Sequence, residues 1–165
     1  MRKLSHYDSH GAIKMVDVSA KAATRRTAVA HAFLRISPGA LRAIRRLKNP
    51  KGSPFEIARI AGILAAKRTA DLIPLCHPLP ISHADVQARA LSRGVEITAT
   101  VSTTATTGVE MEALTAAAVA ALTIYDMTKA LDRGMEVTEL HLMEKRGGRS
   151  GTYRRATGAG RGKRG

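Results

Sequence analysis

The sequence predicts an α+β domain of ferredoxin-like order, βαββαβ, with an antiparallel four-stranded sheet and helices on one face. Three observations carry this. Residues 108–134 (GVEMEALTAAAVAALTIYDMTKALDRG) hold no proline, keep glycine at their two ends and are rich in alanine, the best helix former. Residues 95–104 alternate, with Val95, Ile97, Ala99 and Val101 on one side and Glu96, Thr98, Thr100 and Ser102 on the other, which is the period of a half-buried strand. Ser92-Arg93-Gly94 joins that strand to the run 81–91 as a hairpin. With a first strand at 28–36, a helix from Pro54 and a last strand at 135–143, the order becomes β-α-β-β-α-β.

Taken in order, residues 1–14 are polar and expected to be mobile, and 15–18 read as a short strand. In 28–36, Val29, His31 and Phe33 share a face. Residues 38–47 carry Leu41, Ile44 and Leu47 at helical spacing and close on Asn49-Pro50-Lys51-Gly52, a loop signal. Ser53, Pro54 and Glu56 form an N-cap, a first-turn proline and a capping-box acid. Ile57, Ile60, Ala61 and Leu64 are the expected buried stripe of that helix. The segment 71–80 (DLIPLCHPLP) has three prolines and reads as a stiff apolar platform. The long helix is expected to end at Gly134 as a left-handed cap. An open sheet face rich in Ala, Val and Thr is expected to be covered by another subunit.

The chain has 165 residues, one domain's worth, and 44% apolar residues, enough for a real core. Only five residues are aromatic (two Phe, three Tyr), so the core must be aliphatic and alanine-rich. The net charge of +14 is uneven. From Lys145 onward there are eight Lys or Arg and no acid, so residues 1–144 carry only +6. A single domain is placed at 1–153, and 154–165 reads as a basic Gly/Arg tail expected to be disordered. One cysteine, no apolar h-region at the start and no apolar run of transmembrane length point to a soluble cytoplasmic protein with no membrane partner.

Charged residues cluster at the two ends of the long helix. Glu110 and Glu112 stand at its start, Asp126 and Lys129 near its end, and nothing charged lies between. Asp126 and Lys129 are one turn apart and can touch. Glu112 and Asp126 project to within about 40° of each other but lie about 21 Å apart along the axis. One small centre cannot use both from one copy: a long ligand, two sites or a second subunit is required.

Other chemistries are weaker. Cys76-His77 has no second cysteine and no histidine at ligand spacing, so no metal site is expected. The topology is shared with RNA-recognition domains, but residues 81–105 contain no aromatic on which a base could stack. A nucleotide- or RNA-binding module using the basic tail is the alternative reading, and nucleic acid is not the expected partner. Basic residues beside turns (Lys51, Lys67-Arg68, Lys145-Arg146) suit a polyphosphate ligand, although no Walker A loop or G-x-G-x-x-G is present.

MVDVSAK (15–21), ARIAG and AAKRT (58–69), DLIPLCHPL (71–79) and GVEMEALTAAAVAALTIYDMTKA (108–130) resemble the MoaC family of molybdenum-cofactor biosynthesis, from about residue 10 to Tyr153. The resemblance implies a ferredoxin-like subunit in a homohexamer, a trimer of dimers, with active sites at a subunit interface. It implies conversion of 3′,8-cyclo-7,8-dihydroguanosine 5′-triphosphate to cyclic pyranopterin monophosphate with loss of pyrophosphate, a phosphorus–oxygen lyase reaction. By the same resemblance Asp126, Lys129 and Lys51 are catalytic. Leu75, Cys76, His77, Met111, Glu112, Glu110, Lys67, Arg26 and Lys145 bind substrate. No resident cofactor is implied, and a transient Mg²⁺ could accompany the triphosphate. Many members carry a basic residue where Thr106 stands, so one phosphate contact is either missing or supplied elsewhere. The tail beyond about Arg154 has no counterpart in the family core.

Overall fold

The structure, a computed structural model, describes residues 5–8, 10–46 and 53–156. Its elements are β1 (Thr24–Arg35), α1 (Pro38–Arg46), α2 (Pro54–Lys67), α3 (Thr69–Leu72), β2 (Ile81–Ala90), β3 (Gly94–Ala105), α4 (Glu110–Thr128), β4 (Glu136–Arg146) and β5 (Tyr153–Arg154). The sheet is antiparallel throughout, in the order β2-β3-β1-β4-β5. The first four strands have the expected ferredoxin-like arrangement. The sheet is nevertheless five-stranded, because Tyr153 and Arg154 pair with Lys145 and Glu144. Arg154 also faces Glu144 as an ion pair at 3.6 Å, so the start of the basic tail belongs to the sheet. Arg155 continues this pairing, donating its N–H to the Met143 carbonyl at 2.7 Å, whereas residues 157–165, with their expected disorder, and Lys51 lie outside the described residues.

The core is built from small side chains. β1 buries Ala28, Ala30, Ala32 and Leu34, and β3 buries Val95, Ile97, Ala99 and Val101. Val29, His31 and Phe33, on the other face of β1, are only half-buried. α4 crosses the buried face of the sheet and sets Ala113, Ala116, Ala117, Ala120, Ala121 and Ile124 against it and against α2. These alanines leave no room for branched residues on the facing side of α2. There the buried positions are Ala58, Gly62, Ala65 and Ala66. A Cβ on Gly62 would stand 2.9 Å from the Ala116 carbonyl oxygen and 3.0 Å from Val86 Cγ2.

This packing overturns the expected stripe. Ile57, Ile60 and Leu64 point outward, with Ile60 56% and Leu64 48% exposed. Hydropathy alone favours the larger aliphatics as core, but the gap between helix and sheet selects by size.

Other expectations also shift. The N-cap reading of Ser53 holds: its hydroxyl accepts the Phe55 N–H at 3.3 Å and Pro54 opens the helix. The stiff platform begins later than expected, because Asp71 and Leu72 close the single turn of α3. Residues 15–18 form no strand; the Val16 carbonyl is taken by the His77 ring instead of a sheet neighbour. α4 ends at Thr128, short of Gly134, whose φ is not positive. The Asp132 carboxylate accepts the N–H of Ser37 and of Gly134, both at 2.8 Å, and this holds 129–134 as a loop against the start of α1. In β4 a bulge sets Glu139 and Leu140 opposite Ala32, and Glu139 takes the left-handed φ of 56° that bulges allow. Among the described residues no helix is long and apolar enough to cross a membrane.

The Gly62 contact makes a testable pair. Gly62→Leu should lower stability by about 2–3 kcal/mol through overpacking. Gly39→Ala, in α1 with its nearest neighbour atom at 3.9 Å, should be neutral or stabilise by about 0.5 kcal/mol. Thermal or denaturant unfolding of the two variants checks the contrast.

Candidate functional site

The topology sorts the charged residues to two ends of the sheet. Thr24 at the start of β1, Ala105 at the end of β3, Ile81 at the start of β2 and Arg146 at the end of β4 lie at one end. α4 starts from that end, and the segment after α3 runs into it. The platform residues Leu75, Cys76 and His77 therefore meet Glu110, Met111 and Glu112 of the first turn of α4. Together with Ser5, His6, Val16, Lys21, Leu79, Thr107 and Gly108 they line a cavity of about 370 Å³. A second, larger cleft of about 700 Å³ is lined by Lys21, Thr24, Arg26, Thr106, Thr107, Arg149 and Ser150, among others. Lys21 and Thr107 line both, so the two join into one elongated site.

Glu112 is the most constrained group there. It is 3% exposed, and its Oε2 is buried with no hydrogen-bond partner. Burial, and secondarily the charge of Glu110, push its pKa up. Cys76 is raised too, by burial and then by Glu112, so it stands as a neutral thiol near pH 7, not as a thiolate nucleophile. His77 Nε2 donates to the Val16 carbonyl at 2.8 Å, which ties the MVDVSAK segment to the platform.

The second cleft is cationic. Arg26 is held by donating Nε to the Ala105 carbonyl at 2.9 Å and Nη2 to the Thr106 carbonyl at 3.1 Å. Gly147 and Gly148, at φ of 92° and 75°, turn the chain back after β4. A side chain at Gly148 would collide with the Arg26 guanidinium, so glycine lets Arg149 and Ser150 join the cleft. Lys145 links the two parts: its Nζ lies 3.4 Å from Glu110 Oε1 and donates to Ser150 Oγ at 2.5 Å.

Seven of the expected substrate residues thus line this site: Leu75, Cys76, His77, Glu110, Met111, Glu112 and Arg26. Lys145 bridges its edge. Lys67, the last residue of α2, is exposed and lines neither cleft. Asp126 and Lys129 are at the other end of α4. There Lys129 Nζ donates to Asp126 Oδ1 at 2.7 Å, with the two side chains 59% and 73% exposed. The hydrogen bond and charge of Asp126 push the Lys129 pKa up. Sequence reasoning missed Lys21, Thr107 and Arg149 as lining residues. Lys21 closes the MVDVSAK motif and Arg149 follows a double glycine, signals that could have marked both.

A buried acceptor without a donor suits a ligand edge bearing N–H groups. A neighbouring cationic cleft suits phosphates. An exposed carboxylate–ammonium pair suits proton transfer once a substrate covers it. Among the described residues no cluster of His, Cys, Asp and Glu could hold a metal ion.

Known proteins bear on this arrangement. The model of the MoaC family matches residues 15–148. A cyclic pyranopterin monophosphate synthase of Novosphingobium aromaticivorans is 54% identical over 156 residues, 94% of this chain and 99% of that protein. The protein of that name from Thermomicrobium roseum is 53% identical, covering 94% of this chain and 95% of its own length. One from a Methylobacterium species is 55% identical, covering 93% and 97%.

Glu112 generates a stability prediction. Its pKa is higher in the folded chain than the ordinary value of about 4.3, so the folded state binds the proton more tightly. Stability is therefore lost as pH rises from about 4.3 toward the folded pKa, and stays at the lower level above it. Glu112→Gln removes that loss. The ligand-free variant should be about 1 kcal/mol more stable at pH 7, a rise of about 2–4 °C in Tm, and no more stable than wild type at pH 4. Calorimetry at the two pH values measures this.

Proposed function

The chain belongs to the MoaC family, and on that premise we propose that it is a cyclic pyranopterin monophosphate synthase of molybdenum-cofactor biosynthesis. It converts 3′,8-cyclo-7,8-dihydroguanosine 5′-triphosphate to cyclic pyranopterin monophosphate and pyrophosphate. The observation that carries this reading is the unpaired, buried Glu112 carboxylate in a cavity that continues into a cleft lined by Lys21, Arg26 and Arg149. A guanine-derived ring has N–H donors for the carboxylate, and a triphosphate has the charge for the cleft.

The residues then divide the work. Leu75, Cys76, His77, Met111 and Glu112 hold the heterocycle. Arg26 and Lys145 neutralise the phosphates, and Lys67, which lines neither cleft of its own chain, does so from a neighbouring subunit. Positive groups fixed where pyrophosphate leaves stabilise the charge that develops on it as the cyclic phosphate ester closes. Glu110 keeps Lys145 in place through their ion pair. Asp126 is the general base and acid, and Lys129 and Lys51 are the proton donors that complement it. No resident cofactor enters this scheme, and any Mg²⁺ arrives with the triphosphate. A cytoplasmic location belongs to the same reading.

Asp126 and Glu112 lie 14 positions apart on one helix, about 21 Å along its axis. No single reacting centre uses both from one chain. The site is therefore composite: the ring- and phosphate-binding end comes from one subunit and the Asp126–Lys129 pair from another. A homohexamer built as a trimer of dimers provides such interfaces. Exposed apolar residues support burial between subunits: Ile60 and Leu64 on the outer face of α2, and Leu122 and Leu131 near the Asp126 end of α4.

Asp126→Asn should fold and assemble as wild type, because the side chain is largely exposed and, among the described residues, pairs only with Lys129. Pyranopterin formation should fall by at least about 10³-fold, the scale of a lost general acid–base group. Incubation of both proteins with the cyclic dihydroguanosine triphosphate, with assays for pyrophosphate and pyranopterin, tests this. Turnover of the variant within tenfold of wild type removes Asp126 from the mechanism.

A further inference from the structure

Among the described residues two side-chain polar atoms are buried without a hydrogen-bond partner, Glu112 Oε2 and His6 Nδ1. Both residues line the same cavity. Glu112 comes from α4, whereas His6 comes from the N-terminal segment, more than a hundred positions earlier.

That segment is a small built unit. Tyr7 and Ile13 form an antiparallel bridge. The His6 carbonyl accepts the Lys14 N–H at 3.0 Å, and the Asp8 N–H donates to the Ala12 carbonyl at 3.0 Å. The Asp8 carboxylate accepts the N–H of His10 at 2.8 Å and of Ala12 at 2.9 Å, which closes the turn. Its downstream limb is fixed to the platform by the bond from His77 to the Val16 carbonyl. The segment is thus a strap anchored at the substrate end of the site, with His6 on the cavity wall.

A buried polar atom left unpaired costs about 1–3 kcal/mol, and two in one cavity are best explained by a ligand that pairs with both. We infer that His6 is a further substrate-positioning residue: its Nδ1 hydrogen-bonds the polar edge of the guanine-derived ring whose N–H groups meet Glu112. This rests on the function proposed above. His6 takes no part in the bond changes. It orients the heterocycle and holds the strap over it, so its loss should weaken substrate binding and leave the chemical step intact.

Michaelis parameters with the cyclic dihydroguanosine triphosphate test this in wild type, His6→Ala, His6→Asn and His6→Gln. The Asn amide reaches the position of Nδ1, and the Gln amide reaches that of Nε2. The expected result is a KM raised about five- to tenfold in His6→Ala, the worth of one lost hydrogen bond, with kcat within about twofold of wild type. His6→Asn should recover most of the loss and His6→Gln should not. A wild-type KM in His6→Ala, or recovery by Gln as complete as by Asn, overturns the role of Nδ1 while the enzyme reading stands. No turnover by wild type overturns the enzyme reading and this role with it. If the melting temperature shows that the Ala variant does not fold, the contrast between Asn and Gln decides alone.

Discussion

The close approach of α4 to the sheet and to α2 is the constraint on which the remaining structure depends. Five alanines of α4 are fully buried, and Gly62 of α2 sits where a side chain would strike the α4 backbone. Packing this tight makes the helix a rigid spacer between two functional ends. It fixes which end of the sheet receives Glu110 and Glu112 and sends Asp126 and Lys129 to the other. It also expels the bulky aliphatics of α2 to the outer surface, where they serve contact between subunits in the assembly proposed here. One choice of small residues thus decides both where the charged groups of α4 stand and which aliphatics of α2 face outward.

Electrostatics gives the two ends different characters. At one end the Glu112 carboxylate is held out of water with its Oε2 unpartnered, beside a cleft lined by Lys21, Arg149 and the carbonyl-anchored Arg26. Such a site is costly when empty and is relieved by a ligand that offers N–H donors and phosphates together. At the far end Asp126 and Lys129 form an exposed pair that costs little and does little until something covers it. In the function proposed above, such a pair stays in water until substrate and a second chain exclude it.

Much of this was legible in the chain itself. Period-two alternation in residues 95–104 and the alanine-rich run before Gly134 placed β3 and α4, because both depend on local patterning. The charge gap along α4 already required a long ligand, two sites or a second chain. Local patterning could not reveal size selection, so Ile57, Ile60 and Leu64 read as core although the fully buried positions of α2 after its opening proline are alanine and glycine. The end of α4 was set by a long-range bond from Ser37 to Asp132, which no helix-propensity argument contains. β5 rests on two residues next to a basic tail whose composition argues against a strand. In the site, Cys76, His77 and Glu112 lie in motifs dense enough to recognise. Lys21, Arg149 and His6 reach the cavity through turns and a strap, where sequence distance hides proximity.

We propose that Glu112 and Asp126 serve one reaction from different chains. Subunit complementation tests it most directly. Asp126→Asn and Glu112→Ala are purified separately, each inactive, then mixed under conditions that exchange subunits, and pyranopterin formation is measured. If each site takes one residue from either chain, random mixing leaves about a quarter of the sites intact, and activity should return toward about a quarter of wild type. Mixed assemblies that form, as shown by native mass spectrometry, yet stay as inactive as the separate variants would contradict the shared site.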